Sequence, residues 1–245
     1  MHPSESQAIL WSQEDAVLHL RLNRPDKRNA LTMPMFEALS TAIEAAENDD
    51  GVKALLVSGS GVAFCAGHDL EAFAAWPQLR PTDPVPRFLK LIASATKPMV
   101  LAVHGAAAGI GVTWMLHADH VVAAPEAKFR LPFVELGISP EAGSTLLLPA
   151  VVGLGRARKL LMSATDFSGS EAHAWGLVSE LVEASSVQEA AVRAARALAG
   201  RDVPVMRRLK AWLSLDDAQV QSRIDEEVAE INAAILRRRA MGAAP

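Results

Sequence analysis

The run MVLAVHGAAAGIGVTWMLHA, residues 99–118, is the stretch on which the fold turns. It is apolar for about the twenty residues that a membrane helix needs. It also contains His104, Gly105, Gly109, Gly111 and His117, and its character changes midway. MVLAV reads as a buried strand, and the small and apolar residues beyond it as a buried helix. The segment is therefore expected to be a strand running into a helix inside the protein, with no crossing of a bilayer. Two more short apolar runs, KALLV at 53–57 and HVVAA at 120–124, read as buried strands, and AVLHLRL at 16–22 alternates like a half-buried one.

Helical patterns lie between and after these strands. Thr32 is placed as an N-cap with Pro34 in the first turn, and Phe36, Leu39, Ile43 and Ala46 share one face until Asp49-Asp50-Gly51 closes the helix. Strands alternating with helices argue a right-handed βαβ-type α/β architecture. Residues 76–87 carry four prolines and are expected to form a surface loop or a lid. From about residue 186 the pattern is wholly helical. Val220, Ile224, Val228, Ile231 and Ile235 mark a long amphipathic helix closed by Arg237–Arg239 and Gly242.

Bulk properties narrow the function. A chain of 245 residues is long enough for one large α/β domain or two small ones. With 50% hydrophobic and 21% charged residues it is not a disordered protein. A net charge of −4 leaves no footprint for nucleic acid or an anionic membrane, so a polyanionic ligand must be caught locally. The lone Cys65 excludes an internal disulfide and a cysteine metal cage and suits a reducing cytosol. Met1 to Gln7 carry no apolar signal region and Ala-Ala-Pro at the end is no peroxisomal address, so a cytoplasmic location is expected.

Four segments carry candidate chemistry: NRPDKRNAL (23–31), GVAFCAGHDL (61–70), HGAAAGIGVTW (104–114) and FRLPFVELGISPEAG (129–143). Each has a plain structural reading: a strand-to-helix loop, a tight turn, small residues for close packing, and a helix start with Ser139, Pro140 and Glu141 at N-cap, N1 and N2. In this order and spacing, however, FCAGHDL is similar to F-x-A-G-x-D-[LI] and HGAAAGIG to N-G-x-[AC]-x-G-G-G. Glu171-Ala172 with Gly176-Leu177-Val178 matches E-A-x-x-x-G-L-V. Together they resemble the crotonase (enoyl-CoA hydratase/isomerase) superfamily over nearly the whole chain, with a motif closest to the peroxisomal-type Δ3,Δ2-enoyl-CoA isomerases.

The resemblance implies an α/β fold of the ClpP/crotonase type. Its core, a spiral of repeated ββα units, would span residues 1–185, and a C-terminal helical subdomain, residues 186–245, would assemble a homotrimer or hexamer. It implies an acyl-CoA thioester as substrate, with coenzyme A part of the substrate and no metal or separate cofactor. Removing a proton α to a thioester puts charge on the carbonyl oxygen, which two backbone N–H donors can hold. By family position these belong to His68, after Gly67, and to Ile110, which stands where the family has its middle glycine. CoA would lie near Lys27, Arg28 and Ala30 and along Ala66, Gly67, His68, Asp69 and Leu70, with Lys27 and Arg28 offering charge to its phosphates. The His68 side chain invites a general-base role, but its backbone is the favoured contribution, and Cys65 reads as packing.

A hydratase uses two carboxylates. The family positions for them hold Thr113 and Phe133, neither of which can move a proton at neutral pH. Glu135 is a possible substitute, with a surface role the more natural reading. Glu141, in L-G-x-S-P-E, occupies the isomerase slot, where one carboxylate suffices to take a proton from C2 of a 3-enoyl thioester and return it to C4. Trp114, Leu131 and Phe133 are candidates for an apolar acyl pocket or for core. The alternatives are another family reaction, such as hydration or isomerisation of a ring-derived acyl-CoA, and a non-catalytic acyl-CoA binder. RNA association is disfavoured by charge, since the one dense basic run, Arg237–Arg239, is explained by the helix dipole.

Overall fold

The computed structural model describes residues 7–69, 71 and 78–240. Their strands form two sheets. The larger runs in the order β1 (Ile9–Glu14), β2 (Val17–Leu22), β3 (Ala54–Gly59), β5 (Met99–Val103), β7 (His120–Ala123), β10 (Glu180–Leu181). The smaller runs β4 (Ala63–Cys65), β6 (Ala106–Ala108), β8 (Lys128–Arg130), β9 (Phe167–Ser168). Successive strand pairs β3/β4, β5/β6 and β7/β8 each give one strand to each sheet, so the chain advances as a spiral. The pairings β2–β3–β5–β7–β10 and β4–β6–β8 are parallel, while β1–β2 and β8–β9 are antiparallel.

The runs read as buried strands are buried for a physical reason. β3 and β5 sit mid-sheet and are covered on both faces, so they are continuous apolar runs without alternation. β1 was not apparent in the sequence because it is an edge strand exposed along nearly its whole length. It is joined to β2 by Asp15 and Ala16, both left-handed (φ 49° and 61°), as a two-residue hairpin turn requires. β6 corrects the reading of residues 99–118 as a strand passing straight into a helix. Ala106–Ala108 have little strand propensity of their own, and pairing with β4 and β8 makes them a strand.

Helix α1 (Met33–Glu47) follows Thr32 as expected and buries Phe36, Leu39, Ile43 and Ala46. The proline-rich stretch is only partly loop. Helix α2 (Pro84–Ser94) starts inside it, because proline's fixed φ suits a first helical turn and needs no hydrogen bond there. Residues 76 and 77 of that stretch lie outside the described residues. Short helix α3 (Ile110–Thr113) follows β6, and helices α4 (Ser144–Val152), α5 (Leu154–Ser163) and α6 (Gly169–Ala174) follow β8.

Three helices finish the chain. Helix α7 (Val187–Ala199) packs an alanine-rich face on β3, β5 and β7. Helix α8 (Val203–Leu213) has no buried residue. Helix α9 (Asp217–Ala240) packs on α2 and α4 through Val220, Ile224, Val228, Ile231 and Ile235, and carries Arg237–Arg239 in its last turn. Among the described residues no helix is long and apolar enough to cross a membrane.

Candidate active site

The loop NRPDKRNAL is built around Asn29. Arg28 and Asn29 are both left-handed (φ 49° and 58°), a conformation that costs about 1–2 kcal/mol per non-glycine residue. The fully buried Asn29 side chain offsets this. Its Nδ2 donates to the carbonyls of Ser60, Ala63 and Phe64 at 2.8–3.1 Å, and its Oδ1 accepts from the Arg24 N–H at 2.9 Å. The loop thereby lies against the FCAGHDL segment. Arg28 O accepts from Ala66 N (3.0 Å), Gly67 O from Leu31 N (2.8 Å), and Leu31 O from Asp69 N (2.9 Å). Arg24 adds an ion pair to Asp69 (2.9 Å) and a bond to Ala30 O (2.7 Å). The predicted binding residues Lys27, Arg28, Ala30, Ala66, Gly67 and Asp69 thus form one continuous strip. Lys27 and Arg28 are exposed at its edge, Lys27 reaching Glu71 at 3.2 Å. Leu70 lies outside the described residues.

The second glycine segment abuts this strip. Gly67 has φ +98°, and a Cβ there would approach Ala108 O to 3.1 Å. Gly109, the N-cap of α3 with φ +52°, has its missing Cβ 3.8 Å from Gly67 Cα. The residues that follow the two glycines, His68 and Ile110, are therefore brought side by side. Ile110 is the first helical residue and has no positive φ, so a side chain is tolerated, and it is fully buried. Among the described residues no acceptor takes the Ile110 N–H. Two backbone N–H donors that converge on one oxygen can hold the charge of a thioester enolate.

Glu141 reaches the same place from the other side. It is 1% exposed, and its Oε2 lies 2.6 Å from His68 Nε2. Among the described residues Glu141 Oε1 is the one buried carboxylate oxygen without a hydrogen-bond partner. The expected helix start at Ser139–Glu141 is corrected. Residues 139–141 are irregular, the left-handed Ala142 and Gly143 (φ 60° and 66°) form a turn, and α4 begins at Ser144. The acid at the α4 N-terminus is Glu227 of α9, which accepts from Gly143 N (2.7 Å), Thr145 N (3.0 Å) and Thr145 Oγ1 (2.6 Å). Burial pushes the Glu227 carboxyl above its usual range, these donors oppose that, and the nearby Glu141 charge adds to it.

His117 braces the turn from beneath, its Nε2–H donating to Ala142 O at 2.8 Å. Because a carbonyl only accepts, that nitrogen carries the proton. Burial, with the Lys210 charge in support, lowers the His117 imidazole to about 4.

The other candidates fall elsewhere. Thr113 and Phe133, the residues expected at the hydratase acid positions, are buried. Glu135 is exposed and held by Arg130 at 2.7 Å, away from the strip, as a surface carboxylate. Burial pushes the Cys65 thiol up to about 12, so it stays protonated and inert. Trp114 is core, edge-on to Phe88 at 4.9 Å with its Nε1–H directed at Met99 Sδ. Sequence reasoning missed Asn29, Arg24, His117 and Glu227, and it ranked the side chain of His68 below its backbone. Of these, Glu227 left a signal, an acid on the otherwise apolar stripe of α9.

Strand pairs spiralling across two sheets, with two abutting glycine turns beside a buried carboxylate, define a crotonase-type protein. The family profile described as enoyl-CoA hydratase/isomerase matches residues 12–238, and the chain belongs to that family. It is 37% identical over 202 residues to the 1,2-epoxyphenylacetyl-CoA isomerase of Escherichia coli K12, covering 78% of this chain and 76% of that one. It is 39% identical over 176 residues to a Mycobacterium tuberculosis protein named as a probable enoyl-CoA hydratase, covering 69% and 67%. The structure of OdaA from Pseudomonas aeruginosa superimposes with a TM-score of 0.90 at 35% identity, over 94% of each chain.

Proposed function

We propose that this chain is a Δ3,Δ2-enoyl-CoA isomerase in which Glu141 is the only proton shuttle. The observation that carries this is a count of carboxylates: among the described residues, Glu141 alone combines burial beside the two glycine turns with an unengaged oxygen. Thr113 and Phe133 stand where a hydratase needs its acids. The acyl-CoA lies along the strip from Lys27 to Asp69, its phosphates near Lys27 and Arg28. Its thioester oxygen accepts from the N–H groups of His68 and Ile110. Glu141 takes a proton from C2 of the 3-enoyl chain, the dienolate charge rests on that oxygen, and the same acid returns the proton to C4. This allylic shift needs no metal and no redox partner.

A second reading, isomerisation of a ring-derived acyl-CoA by the same groups, is favoured by the name of the Escherichia coli relative. Assembly as a trimer or hexamer is proposed from α8, which leaves Val205, Leu209, Trp212 and Leu213 exposed.

The test is turnover of 3-hexenoyl-CoA and hydration of crotonyl-CoA by the same preparation. Isomerisation is expected with hydration far slower, and Glu141→Gln should lower isomerisation by about 10²-fold or more while acyl-CoA affinity persists. Hydration on the order of 10 s⁻¹ would overturn the reading, as would near-normal turnover in the variant.

A further inference from the structure

We infer that the side chain of His68 is a positioning residue for Glu141, in addition to the backbone N–H of His68 holding the thioester oxygen. The inference rests on the proposed enolate chemistry and adds the working state of its base. The two oxygens of Glu141 are unlike: Oε2 is held by His68 Nε2 at 2.6 Å, whereas Oε1 is buried and unpartnered among the described residues. A buried polar atom left without a partner is rare in folded proteins and calls for an explanation. Here the explanation is that the imidazole fixes the plane of the carboxyl group, so that Oε1 faces the reacting carbons and alone carries the proton.

The imidazole can do this because it is itself fixed. Its side chain is 8% exposed and its ring packs against Phe36 at 5.1 Å between centroids. Its backbone is clamped through the neighbouring bonds of Gly67 and Asp69 to Leu31. One residue therefore carries both the oxyanion donor and the brace on the base. It ties two groups 73 positions apart in sequence into one relative geometry. Since a misplacement of about 1 Å can cost around 10²-fold in rate, such a tie matters to kcat more than to binding.

Every substitution at this position except proline keeps the backbone N–H, which separates the two roles. His68→Leu removes the brace, and His68→Gln offers an N–H close to the place of Nε2. Two rates are read on each variant: isomerisation of 3-hexenoyl-CoA, and exchange of the α-protons of butyryl-CoA in D2O followed by NMR. The exchange needs only the base and the oxyanion donors, so it survives if the isomerase reading fails. The expected result is that His68→Leu lowers kcat and the exchange rate about tenfold, with KM within about twofold of the parent. His68→Gln should then recover most of both rates. Unchanged rates in His68→Leu would overturn the inference, and so would a Gln variant no better than Leu or a rise in KM that accounts for the whole loss. A wild-type enzyme that exchanges butyryl-CoA but leaves 3-hexenoyl-CoA untouched would sink the isomerase reading alone.

Discussion

The strip from Ala66 to Asp69 and the turn from Ser139 to Gly143 face each other across the site, yet they are held in opposite ways. The strip is zipped to Arg28–Leu31 by main-chain bonds and pressed against Gly109 where neither glycine could carry a side chain freely. Its partners are set by short motifs, and Asn29 and Arg24 add side-chain bonds to the scaffold. The Glu141 turn is held by side chains. Glu227 holds it from 84 positions away, His117 from 25, and His68 from 73. On the proposed chemistry, the oxygen-holding half is thus a property of the fold, and the proton-moving half is a property of particular side chains. That division explains how one family supports several reactions: the acid can be moved or exchanged while the backbone donors stay where the spiral puts them.

The largest expected effect tests the first half of this contrast. Asn29→Ala deletes the donor to three carbonyls and leaves the Arg24 N–H without its acceptor, in a left-handed position that alanine tolerates poorly. A loss of about 3 kcal/mol in urea unfolding is expected, in line with breaking a buried network. A loss below about 0.5 kcal/mol, the level of an ordinary surface change, would mean that the main-chain zipper stands without its side-chain hub.

A smaller effect, confined to turnover, tests the second half. Glu227→Ala leaves Gly143 N and the Thr145 groups without their acceptor and frees the turn that carries Glu141. The strip is untouched, so KM for the acyl-CoA should hold while kcat drops about tenfold. Glu227→Gln, which can accept at one oxygen, should fall between the two. If KM rose and kcat held, the C-terminal helix would belong to the binding half and the contrast would be wrong.

The same contrast decides what could be read from sequence. The oxygen-holding half was legible because backbone geometry leaves a glycine signature: Gly67 and Gly109 sit where only a left-handed or closely approached backbone fits. Strands β3 and β5 were legible because burial on both faces makes them apolar throughout. β1 was not, since an exposed edge strand carries no burial pattern. Glu141 was picked out by its neighbours in L-G-x-S-P-E, but its local structure was misjudged. Ser-Pro-Glu has the composition of a helix start, and the left-handed Ala142 and Gly143 delay the helix by four residues. The brace at His68 was set aside in favour of the backbone because nothing local to FCAGHDL says that a carboxylate 73 positions on comes within reach. Side-chain contacts of this separation leave almost no local trace; an acid on the apolar stripe of α9 is the exception.

The smallest expected effect is a pH dependence that separates the two halves by location. Free imidazole groups take a proton near 6.5, whereas His117, lowered by burial and by the Lys210 charge, resists until about 4. His19, in β2, is lowered to about 4 by burial and by Arg21, and it bonds Ser58 Oγ at 2.7 Å. For both, the unfolded chain binds more protons than the folded one between these values. Their contribution to stability is therefore complete above pH 6.5 and is lost progressively as the pH falls toward 4. Urea midpoints should decline from pH 7 to pH 5. In His117→Gln, whose amide N–H can still reach Ala142 O, roughly half of that decline should disappear. The residual slope belongs to His19 in the large sheet. An unchanged slope in His117→Gln would place the whole dependence in the sheet and none of it in the titration of His117.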